Sequence, residues 1–488
     1  MSTNKKSAPK SGDAVMTGRE SIDWGSSEGI DWGSEGSECI DTSRPQVDIV
    51  AKDQFQSNNI SAIGKVIKGM LSSVRKSHEP SCGANDLFEK RQVTPLEHPK
   101  PMTSLIQAAN IEAENKSASP VHLSLEPDGV SYSCEMSIDK LTEERKRLID
   151  NADKIVLSMS ETLKDEKWRN LPARVEFLSH DYEDIWFVGD IHGDFVAMKA
   201  ALSTINALGK PKRLVVFLGD LIDRGLESQL VILQAFEMQS SVPSEQKVMF
   251  LAGNHDECLC GGGDTPFSST VDPAEFAVWL NEDERKEWEK RAGATFVEWI
   301  QKVPRAIFLS CGLMVAHAGV PLSDVHDQIV NFDSLSKSSC LQDFVWTRAH
   351  PTKKKVYPNR HTKGSSFGFE NFDAFCDRLK GINYPAWGLV RGHDHDHMTG
   401  NARYQVLVNY ANHPIVTITT LSEKQDGEVM DCEETVPCIG RLSMSDSKLS
   451  IYKMLLPTDL VQSYKNRFLF NEKMRTTLFQ GDSKSGSP

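Results

Sequence analysis

The sequence predicts an α/β fold in which a β-sandwich is flanked by helices and preceded by a largely disordered N-terminal extension. After about residue 137, short apolar runs alternate with segments of helical period, and most of the runs end in a glycine or a polar cluster. Strands without polar residues are typical of sheets that are buried on both faces. Before that point the chain is rich in Ser, Gly, Asn, Pro and charge, a composition too polar to form a core.

The composition excludes several classes of function. The 488 residues include 55 Lys and Arg against 68 Asp and Glu, which gives a net charge of −13. Because affinity for nucleic acid depends on cationic side chains that replace phosphate counterions, we expect no nucleic-acid partner. No run approaches the roughly 18 apolar residues that a membrane span requires, so we expect no transmembrane segment.

The N-terminal sequence and the cysteines both predict a cytoplasmic protein. The first lysines are not followed by an apolar segment, so we expect no secretory signal peptide. The ten cysteines are scattered without a Cys-x-x-Cys pair, which favours reduced thiols over disulfides. These features fit a eukaryotic signalling enzyme and, equally, a bacterial effector that is delivered into a host cell.

Residues 1–136 form the predicted disordered region, and they contain a short repeat. The sequence Ile-Asp-Trp-Gly-Ser occurs at residues 22–26 and again at 30–34. One interpretation is a low-complexity duplication. The other is a pair of docking motifs, because an aromatic anchor in a disordered acidic segment suits a partner's groove, and the repeat resembles docking motifs for ubiquitin-like proteins. If deletion of residues 22–34 left every partner bound, the docking interpretation would be wrong.

Residues 60–76 have the pattern of an amphipathic helix. Their apolar residues recur at i, i+3 and i+4, and four cationic side chains lie among them. Such a helix can make peripheral contact with an anionic membrane, or it can pack its apolar stripe on the catalytic domain or on a partner. Flotation of the isolated segment with liposomes distinguishes these alternatives.

Residues 137–457 form the predicted catalytic domain, and residues 458–488 a flexible tail. At its start, apolar residues at helical spacing predict one amphipathic helix or a bent pair over 141–163. Apolar runs then predict strands at 185–188, 214–218, 248–251, 306–309, 313–316 and 389–390. A final group of strands is predicted at 406–408, 415–419, 438–442 and 449–452.

Polar clusters follow several of these strands, and they contain side chains that bind metal ions. Because glycines permit sharp turns at strand ends, side chains from neighbouring strands can meet at one edge of a sheet. Carboxylate, imidazole and amide ligands together suit Mn, Fe or Zn rather than Ca. The clusters are Gly189–Asp194, Gly219–Gly225, Gly253–Asp256, Val315–Gly319 and Val390–His395.

In this order and at this spacing, the clusters resemble the signature blocks of the phosphoprotein phosphatase (PPP) family within the calcineurin-like metallophosphoesterases. The blocks read Gly-Asp-x-His-Gly at 189–193, Gly-Asp-x-x-Asp-Arg-Gly at 219–225 and Gly-Asn-His at 253–255. The resemblance covers about residues 184–456. It implies a metallophosphoesterase β-sandwich with helices on its outer faces.

The resemblance also implies two divalent metal ions, Mn, Fe or Zn, with Asp220 bridging them. Two adjacent cations lower the pKa of a bridging water, and the resulting hydroxide attacks phosphorus directly. The implied ligands are Asp190 and His192 on the first ion, and Asn254, His317 and His393 on the second.

The remaining residues of the blocks have implied roles toward the substrate. His255, oriented by Asp223, would protonate the oxygen that leaves the phosphoryl group. A planar guanidinium suits a phosphate group. The implied phosphate-binding residues are Arg224, Asn254 and Arg360, with Arg348 a less favoured candidate than Arg360.

The sequence departs from the family pattern at several points. The residue after Asn-His is Asp256, where the family usually has Glu. His393 is followed two residues later by His395, which is either an extra metal ligand or a solvent-facing side chain. The stretch 258–292 is longer than the family norm, so we interpret it as a lid or a docking element.

Three functions remain compatible with these residues. The first, which the resemblance favours, is a phosphatase for phosphoserine and phosphothreonine in proteins; a shallow two-metal site also admits phosphotyrosine. The second is a hydrolase of nucleotides or dinucleoside polyphosphates, because the same metal ligands serve those substrates. The third is a pseudophosphatase scaffold that acts through the N-terminal Trp motifs. Turnover of phosphopeptides and dinucleoside tetraphosphate decides between the enzymes, and an inert Asp220→Asn substitution would indicate the scaffold.

Overall fold

The computed structural model describes residues 123–179, 181–240, 246–359, 364–394, 404–421 and 436–460, together with residue 462. The Trp repeats at 22–26 and 30–34 and the helix predicted at 60–76 lie outside the described residues, as do Arg360 and His395. Predictions that concern those segments therefore stay predictions.

Two six-stranded sheets form the centre of the domain. The first sheet contains three parallel strands, β3, β4 and β5, that lie beside an antiparallel β15. Its order across the sheet is β1-β16-β15-β3-β4-β5. The strands are β1 (Ser124–Ser133), β3 (Asp184–Val188), β4 (Arg213–Phe217), β5 (Gln246–Phe250), β15 (Cys438–Ser443) and β16 (Lys448–Leu455).

The second sheet has parallel and antiparallel neighbours as well. Strand β12 runs parallel to both β14 and β9, whereas β8 and β9 are antiparallel. Its order across the sheet is β13-β14-β12-β9-β8-β2. The strands are β2 (Val175–Leu178), β8 (Ala306–Leu309), β9 (Leu313–Ala316), β12 (Gly388–Arg391), β13 (Tyr404–Tyr410) and β14 (His413–Ile418).

The side chains of β3 show how the layers stack. Ile185 and Phe187 belong to a core cluster that also contains inner-face residues of the second sheet. Trp186 and Val188 point the other way, into a cluster shared with helices. Because successive side chains of a strand face opposite sides, both faces of β3 are buried. The predicted α/β sandwich with helices on its outer faces is therefore confirmed.

Helices cover the outer faces of both sheets. The cluster outside the second sheet contains residues of α9 and α10, and the cluster outside the first sheet contains residues of α1, α2, α4, α5 and α8. Among the described residues, no helix is both long and apolar enough to cross a bilayer. The helices are α1 (Ile138–Asp150), α2 (Ala152–Lys164), α3 (Glu166–Arg169), α4 (Phe195–Leu208), α5 (Ser228–Ser240), α6 (Asn254–Cys258), α7 (Glu275–Leu280), α8 (Glu287–Ile300), α9 (Ser338–Trp346) and α10 (Phe369–Gly381).

In the described part of the chain, two short strand pairs and two 3-10 turns lie between these elements. An antiparallel hairpin of β6 (Cys260–Gly262) and β7 (Thr265–Ser268) follows α6. Strands β10 (Arg348–Ala349) and β11 (Ser366–Phe367) pair in parallel. Short 3-10 turns lie at His326–Gln328 and Phe332–Ser336. The hairpin and α7 fall within the stretch 258–292, which the sequence marks as unusually long.

The helical segment at 141–163 is a pair of helices, one of the two forms that its sequence allows. Helix α1 starts at Ser137, whose side chain accepts a hydrogen bond from Lys140 N at 3.3 Å, and ends at Asn151. Serine is a preferred N-cap residue because its hydroxyl accepts from an otherwise unpaired N–H group. Helix α2 starts directly after Asn151, so the apolar stripe continues across the bend.

Described structure extends beyond both ends of the predicted catalytic domain. Strand β1 lies within the predicted disordered region and pairs in parallel with β16, so regular structure starts before residue 137. Its alternation is weak because it is a largely exposed edge strand that contains Pro127 and Gly129. After residue 457, Leu460 is buried and belongs to the core cluster with the helices. The division of the chain into three regions stays a prediction.

Candidate metal centre

The predicted site residues that the structure describes meet at one edge of the sandwich. They lie in the segments that follow β3, β4, β5, β9 and β12, with Asn254 and His255 at the start of α6. The aspartates, the histidines and Asn254 among them are 0% to 6% exposed, so these polar groups need partners other than solvent. Arg224 is half-buried. The buried residues of the site are Asp190, His192, Asp220, Asp223, Asn254, His255, His317 and His393.

Asp220 belongs to both groups of candidate metal ligands. Ligand atoms of Asp220, His192 and His255 lie within 4.8 Å of one another, and those of Asp220, His317 and His393 form a second group of the same size. The backbone N–H of His255 donates to Asp220 Oδ1 at 2.9 Å. One carboxylate therefore lies between two clusters of imidazoles.

The pKa of Asp220 follows from this position. Burial alone would raise it, but the charges of His317, His255 and His192 and the His255 N–H group lower it well below its ordinary value. The carboxylate is therefore ionised, as a ligand for cations must be.

His192 and His317 have the orientation of metal ligands. Their Nδ1 atoms lie 2.9 Å from Ile222 O and 3.0 Å from Leu218 O. Since a carbonyl oxygen only accepts, each Nδ1 carries a proton, and in the neutral imidazole each Nε2 then presents a lone pair. Those Nε2 atoms lie 3.4 Å and 3.5 Å from Asp220 Oδ2. A cation between the lone pairs and the carboxylate satisfies both groups, so these residues fit a metal ion.

Asn254 and His393 face the same nitrogen of His317. The distance from His317 Nε2 is 3.1 Å to Asn254 Oδ1 and 3.2 Å to His393 Nδ1. Imidazole, amide and carboxylate atoms thus converge on one point, which is a mixed N and O donor set suited to Mn, Fe or Zn.

Asp190 lies beside these residues and belongs to neither group. Its Oδ2 accepts from the backbone N–H of His393 at 2.9 Å, and its Oδ1 is 3.9 Å from His317 Nδ1. The backbone of Asp190 forms a bridge with Thr419, at the edge where the two sheets approach each other. A ligand role for Asp190 stays a prediction.

The loops reach this geometry through an uncommon backbone conformation. Positive φ angles occur at His192 (45°), Asp220 (52°), Asp223 (67°), Arg224 (67°) and His393 (69°). Each such residue costs about 1–3 kcal/mol and persists where the surroundings impose it, as they do at functional sites.

Gly253 permits the close approach of two of these loops. A Cβ atom on Gly253 would overlap the backbone N and Oδ1 of Asp220. Only glycine leaves this space, so the predicted glycine turn is required by packing against the shared carboxylate.

His255 and Asp223 form a hydrogen-bonded pair next to the metal-ligand groups. His255 Nδ1 lies 2.8 Å from Asp223 Oδ2. Burial lowers the pKa of His255, but the charge of Asp220 and the hydrogen bond to Asp223 outweigh it and raise the pKa above its ordinary value. Arg224 Nη2 lies 3.5 Å from His255 Nε2, so a cation and an imidazole face the same space.

Asp256 has a structural part in the site that the sequence did not reveal. Its carboxylate accepts from Leu221 N at 2.9 Å and from Gly253 N at 3.0 Å, and it thereby joins the loops after β4 and β5. Burial and the nearby charge of Asp220 raise the pKa of Asp256 in spite of these N–H donors. The feature of the sequence that pointed to Asp256 was its difference from the Glu that the family usually has at this position.

A second group of ion pairs lies beside His393. Asp394 bonds to the buried Arg391 and to Arg348, and these arginines lower the pKa of Asp394 although burial opposes them. Arg348 Nη1 also donates to His393 O at 3.3 Å. The structure therefore places Arg348, the less favoured phosphate-binding candidate, next to the site.

Residues 184–397 match the family model of the calcineurin-like phosphoesterases. Together with the fold and the convergent Asp and His side chains, this match shows that the chain contains a calcineurin-like metallophosphoesterase domain, as predicted. The family implies divalent metal ions as cofactors.

Two curated relatives are protein phosphatases by name. The chain is 28% identical over 104 residues to Shewanella-like protein phosphatase 1 of Plasmodium berghei, which covers 20% of this chain and 27% of the relative. It is 35% identical over 92 residues to serine/threonine-protein phosphatase 2 of Escherichia coli, which covers 18% of this chain and 41% of the relative. The chain thus spans less than half the length of these relatives.

Among solved structures, a protein serine/threonine phosphatase from Saccharomyces cerevisiae is similar. Its TM-score is 0.42 at 18% sequence identity, and the match covers 65% of this chain and 95% of that one.

Proposed function

We propose that this protein is a phosphatase that hydrolyses phosphoserine and phosphothreonine in protein substrates with the help of two divalent metal ions. The observation that carries the proposal is the position of Asp220 between two clusters of histidines, with the His255 and Asp223 pair beside it. The curated relatives support the substrate class, because one of them is named as a serine/threonine phosphatase.

Each metal ion would use ligands from different loops. Asp190 and His192 would hold the first ion and Asn254, His317 and His393 the second, with Asp220 between them. When bound, two such cations supply hydroxide for in-line attack and neutralise charge on the phosphoryl oxygens. Mn, Fe or Zn suits this mixed donor set.

The side chains of the protein would bind the phosphate and supply a proton. Arg224 and the amide of Asn254 face the site and would hold the phosphoryl oxygens, a task that a planar guanidinium performs with two parallel hydrogen bonds. Arg360, outside the described residues, is proposed to complete this set.

His255 would act as the general acid. Its Nδ1–H bond to Asp223 fixes the ring, so that Nε2 faces the space beside Arg224 and can carry the proton for the leaving oxygen. As the bond between phosphorus and the seryl or threonyl oxygen breaks, the proton moves from Nε2 to that oxygen. Asp223 stabilises the imidazolium before the transfer.

A substrate panel tests this function. We expect the purified protein with Mn²⁺ to hydrolyse phosphoserine and phosphothreonine peptides, and a chelator to abolish the activity. Phosphotyrosine peptides and dinucleoside tetraphosphate are assayed in parallel. A clear preference for the dinucleotide would contradict the proposal.

Asp220→Asn tests the metal centre itself. Because the amide has one acceptor oxygen and no charge, we expect kcat to fall by about 100-fold or more and bound metal to decrease. Elemental analysis of the purified variant measures the metal, and Asp264→Asn on the exposed hairpin turn is the matched control. Full activity of Asp220→Asn would rule out this site.

A further inference from the structure

Helix α7 makes direct contact with the pair that is proposed to deliver the proton. The backbone N–H of Phe276 donates to Asp223 Oδ1 at 3.0 Å. The backbone N–H of Arg224 donates to Glu275 Oε2 at 3.1 Å. Both contacts come from the first turn of α7, more than fifty residues after Asp223 in the sequence.

The contact with Phe276 completes the hydrogen bonding of Asp223. One carboxylate oxygen binds His255 Nδ1 at 2.8 Å, and the other binds Phe276 N. With a partner on each oxygen, the carboxylate cannot rotate away from the imidazole. The plane of the His255 ring is therefore set in part by α7.

The contact with Glu275 acts on the backbone of Arg224. Asp223 and Arg224 both have φ angles of 67°, a conformation that residues with a Cβ rarely adopt without support. The carboxylate of Glu275 supplies that support because hydrogen bonds to a charged acceptor are stronger than neutral ones. This backbone directs the Arg224 guanidinium to within 3.5 Å of His255 Nε2.

Helix α7 is itself held in place by packing. The Phe276 side chain is buried, and Phe276, Ala277 and Leu280 belong to the core cluster that also contains residues of α2, α5 and α8. A Cβ atom on Gly293 of α8 would lie 2.6 Å from Leu280 Cδ1, so the two helices are in close contact. The extra segment between α6 and α8 thus forms a rigid support rather than an open loop.

We propose that Glu275 is a positioning residue for the phosphatase reaction, and that through Arg224 and Asp223 it aligns His255 with the leaving oxygen. This inference rests on the proposed function. It explains why the chain carries the additional hairpin and helix between residues 258 and 292. The same contacts orient Arg224 toward the phosphoryl group.

Leaving groups of different basicity reveal such a role. The oxygen of serine leaves as a basic alkoxide unless it is protonated, whereas p-nitrophenolate leaves readily without a proton. Misalignment of the general acid therefore slows a phosphoserine peptide far more than p-nitrophenyl phosphate. A weaker grip of Arg224 on phosphate affects both substrates alike, because both carry the same phosphoryl group.

The test uses the full chain with Glu275→Met, which keeps the length and helix propensity of the side chain but removes the acceptor oxygens. We expect kcat to fall about tenfold on the phosphoserine peptide and less than about threefold on p-nitrophenyl phosphate. KM should rise by a similar factor for both. Glu275→Gln keeps an acceptor oxygen and should restore most of the activity, while Glu282→Met, in the same segment, should match the wild type.

Two results would overturn the proposal. If kcat falls equally on both substrates, Glu275 has a merely structural role, and if kcat falls on neither, it has no role. In both cases the proposed phosphatase function still stands. If the wild type with Mn²⁺ hydrolyses neither substrate, the proposed function fails and this inference fails with it. Thermal unfolding of each variant checks the fold, and Glu275→Ala replaces Glu275→Met if the methionine is not accommodated.

Discussion

At the scale of single residues, the candidate metal centre depends on close packing of side chains and backbone around Asp220. Asp220 accepts a backbone hydrogen bond from His255 and faces the Nε2 atoms of His192 and His317. A displacement of this carboxylate would disturb its contacts with both groups of histidines at once. The loops around it therefore have little freedom.

Gly253→Ala tests this restriction. Because the new methyl group would overlap the backbone of Asp220, we expect a displaced carboxylate, less bound metal and a loss of activity of about 100-fold or more. Gly381→Ala is the matched control, since no atom lies within 4 Å of a Cβ atom at that helix end. Elemental analysis and phosphatase assays of both variants measure the difference. A Gly253→Ala enzyme with a normal metal content would contradict the packing argument.

At the scale of secondary-structure elements, the sequence identified the strands that are buried on both faces. Strand β9 is a continuous apolar run, and β3 and β4 are apolar after their first residues, Asp184 and Arg213. Each residue of the three strands is buried. Strands β1 and β2 were not predicted, because they are edge strands whose side chains are mostly exposed or half-buried. A half-buried strand has a weak pattern, and pairing with residues more than a hundred positions away supplies its stability.

The same holds for the candidate site: short motifs predicted its candidate metal ligands, but contacts between residues far apart in the sequence were not predicted. Glycines and ligands at strand ends placed Asp190, Asp220 and His317 at one edge, because the ends of neighbouring strands meet there. The contacts of Asp223 with Phe276 and of Asp256 with Leu221 join residues 53 and 35 positions apart. Nothing in either segment alone indicates such a pair, so only the folded chain reveals it.

Helix α1 is attached to α5 by an ion pair that should matter for stability. Arg145 donates to both oxygens of Glu227 at 2.8 Å and 2.7 Å, and the Glu227 side chain has no exposed surface. Removal of the guanidinium would take two charge-assisted hydrogen bonds from this buried carboxylate. We therefore expect Arg145→Met to lower the free energy of unfolding by about 3 kcal/mol.

The matched control is Arg378→Met. Arg378 pairs with Asp327 at 2.7 Å, but Asp327 is fully exposed to solvent. Exposed pairs contribute at most about 1 kcal/mol, so this variant should unfold almost like the wild type. Denaturant titration of both variants gives the two free energies. Equal values would mean that burial of Glu227 has no influence on the pair.

At the scale of the whole molecule, the net charge of −13 and the chemistry of the site are compatible. Several of the acidic side chains are buried at the metal-ligand groups, where Asp190, Asp220 and Asp223 are at most 2% exposed. Bound cations would neutralise them and leave a site that attracts phosphate on an otherwise acidic protein. The described residues form one sandwich, with its site at a single edge.

The stability of this domain should therefore depend on divalent metal ions and on pH. Ions that bind the folded chain but not the unfolded chain raise the melting temperature by mass action, so a chelator should lower it and added Mn²⁺ should restore it.

Metal binding needs histidines that have lost their protons. Below the histidine pKa values protons compete with the ion, so the stabilisation by Mn²⁺ should be large at about pH 7.5 and small at about pH 5.5. Thermal unfolding with and without Mn²⁺ across this range measures the effect, and Asp220→Asn should lose most of it. A shift of the same size at both pH values would indicate binding at exposed carboxylates instead, because those groups remain ionised throughout the range.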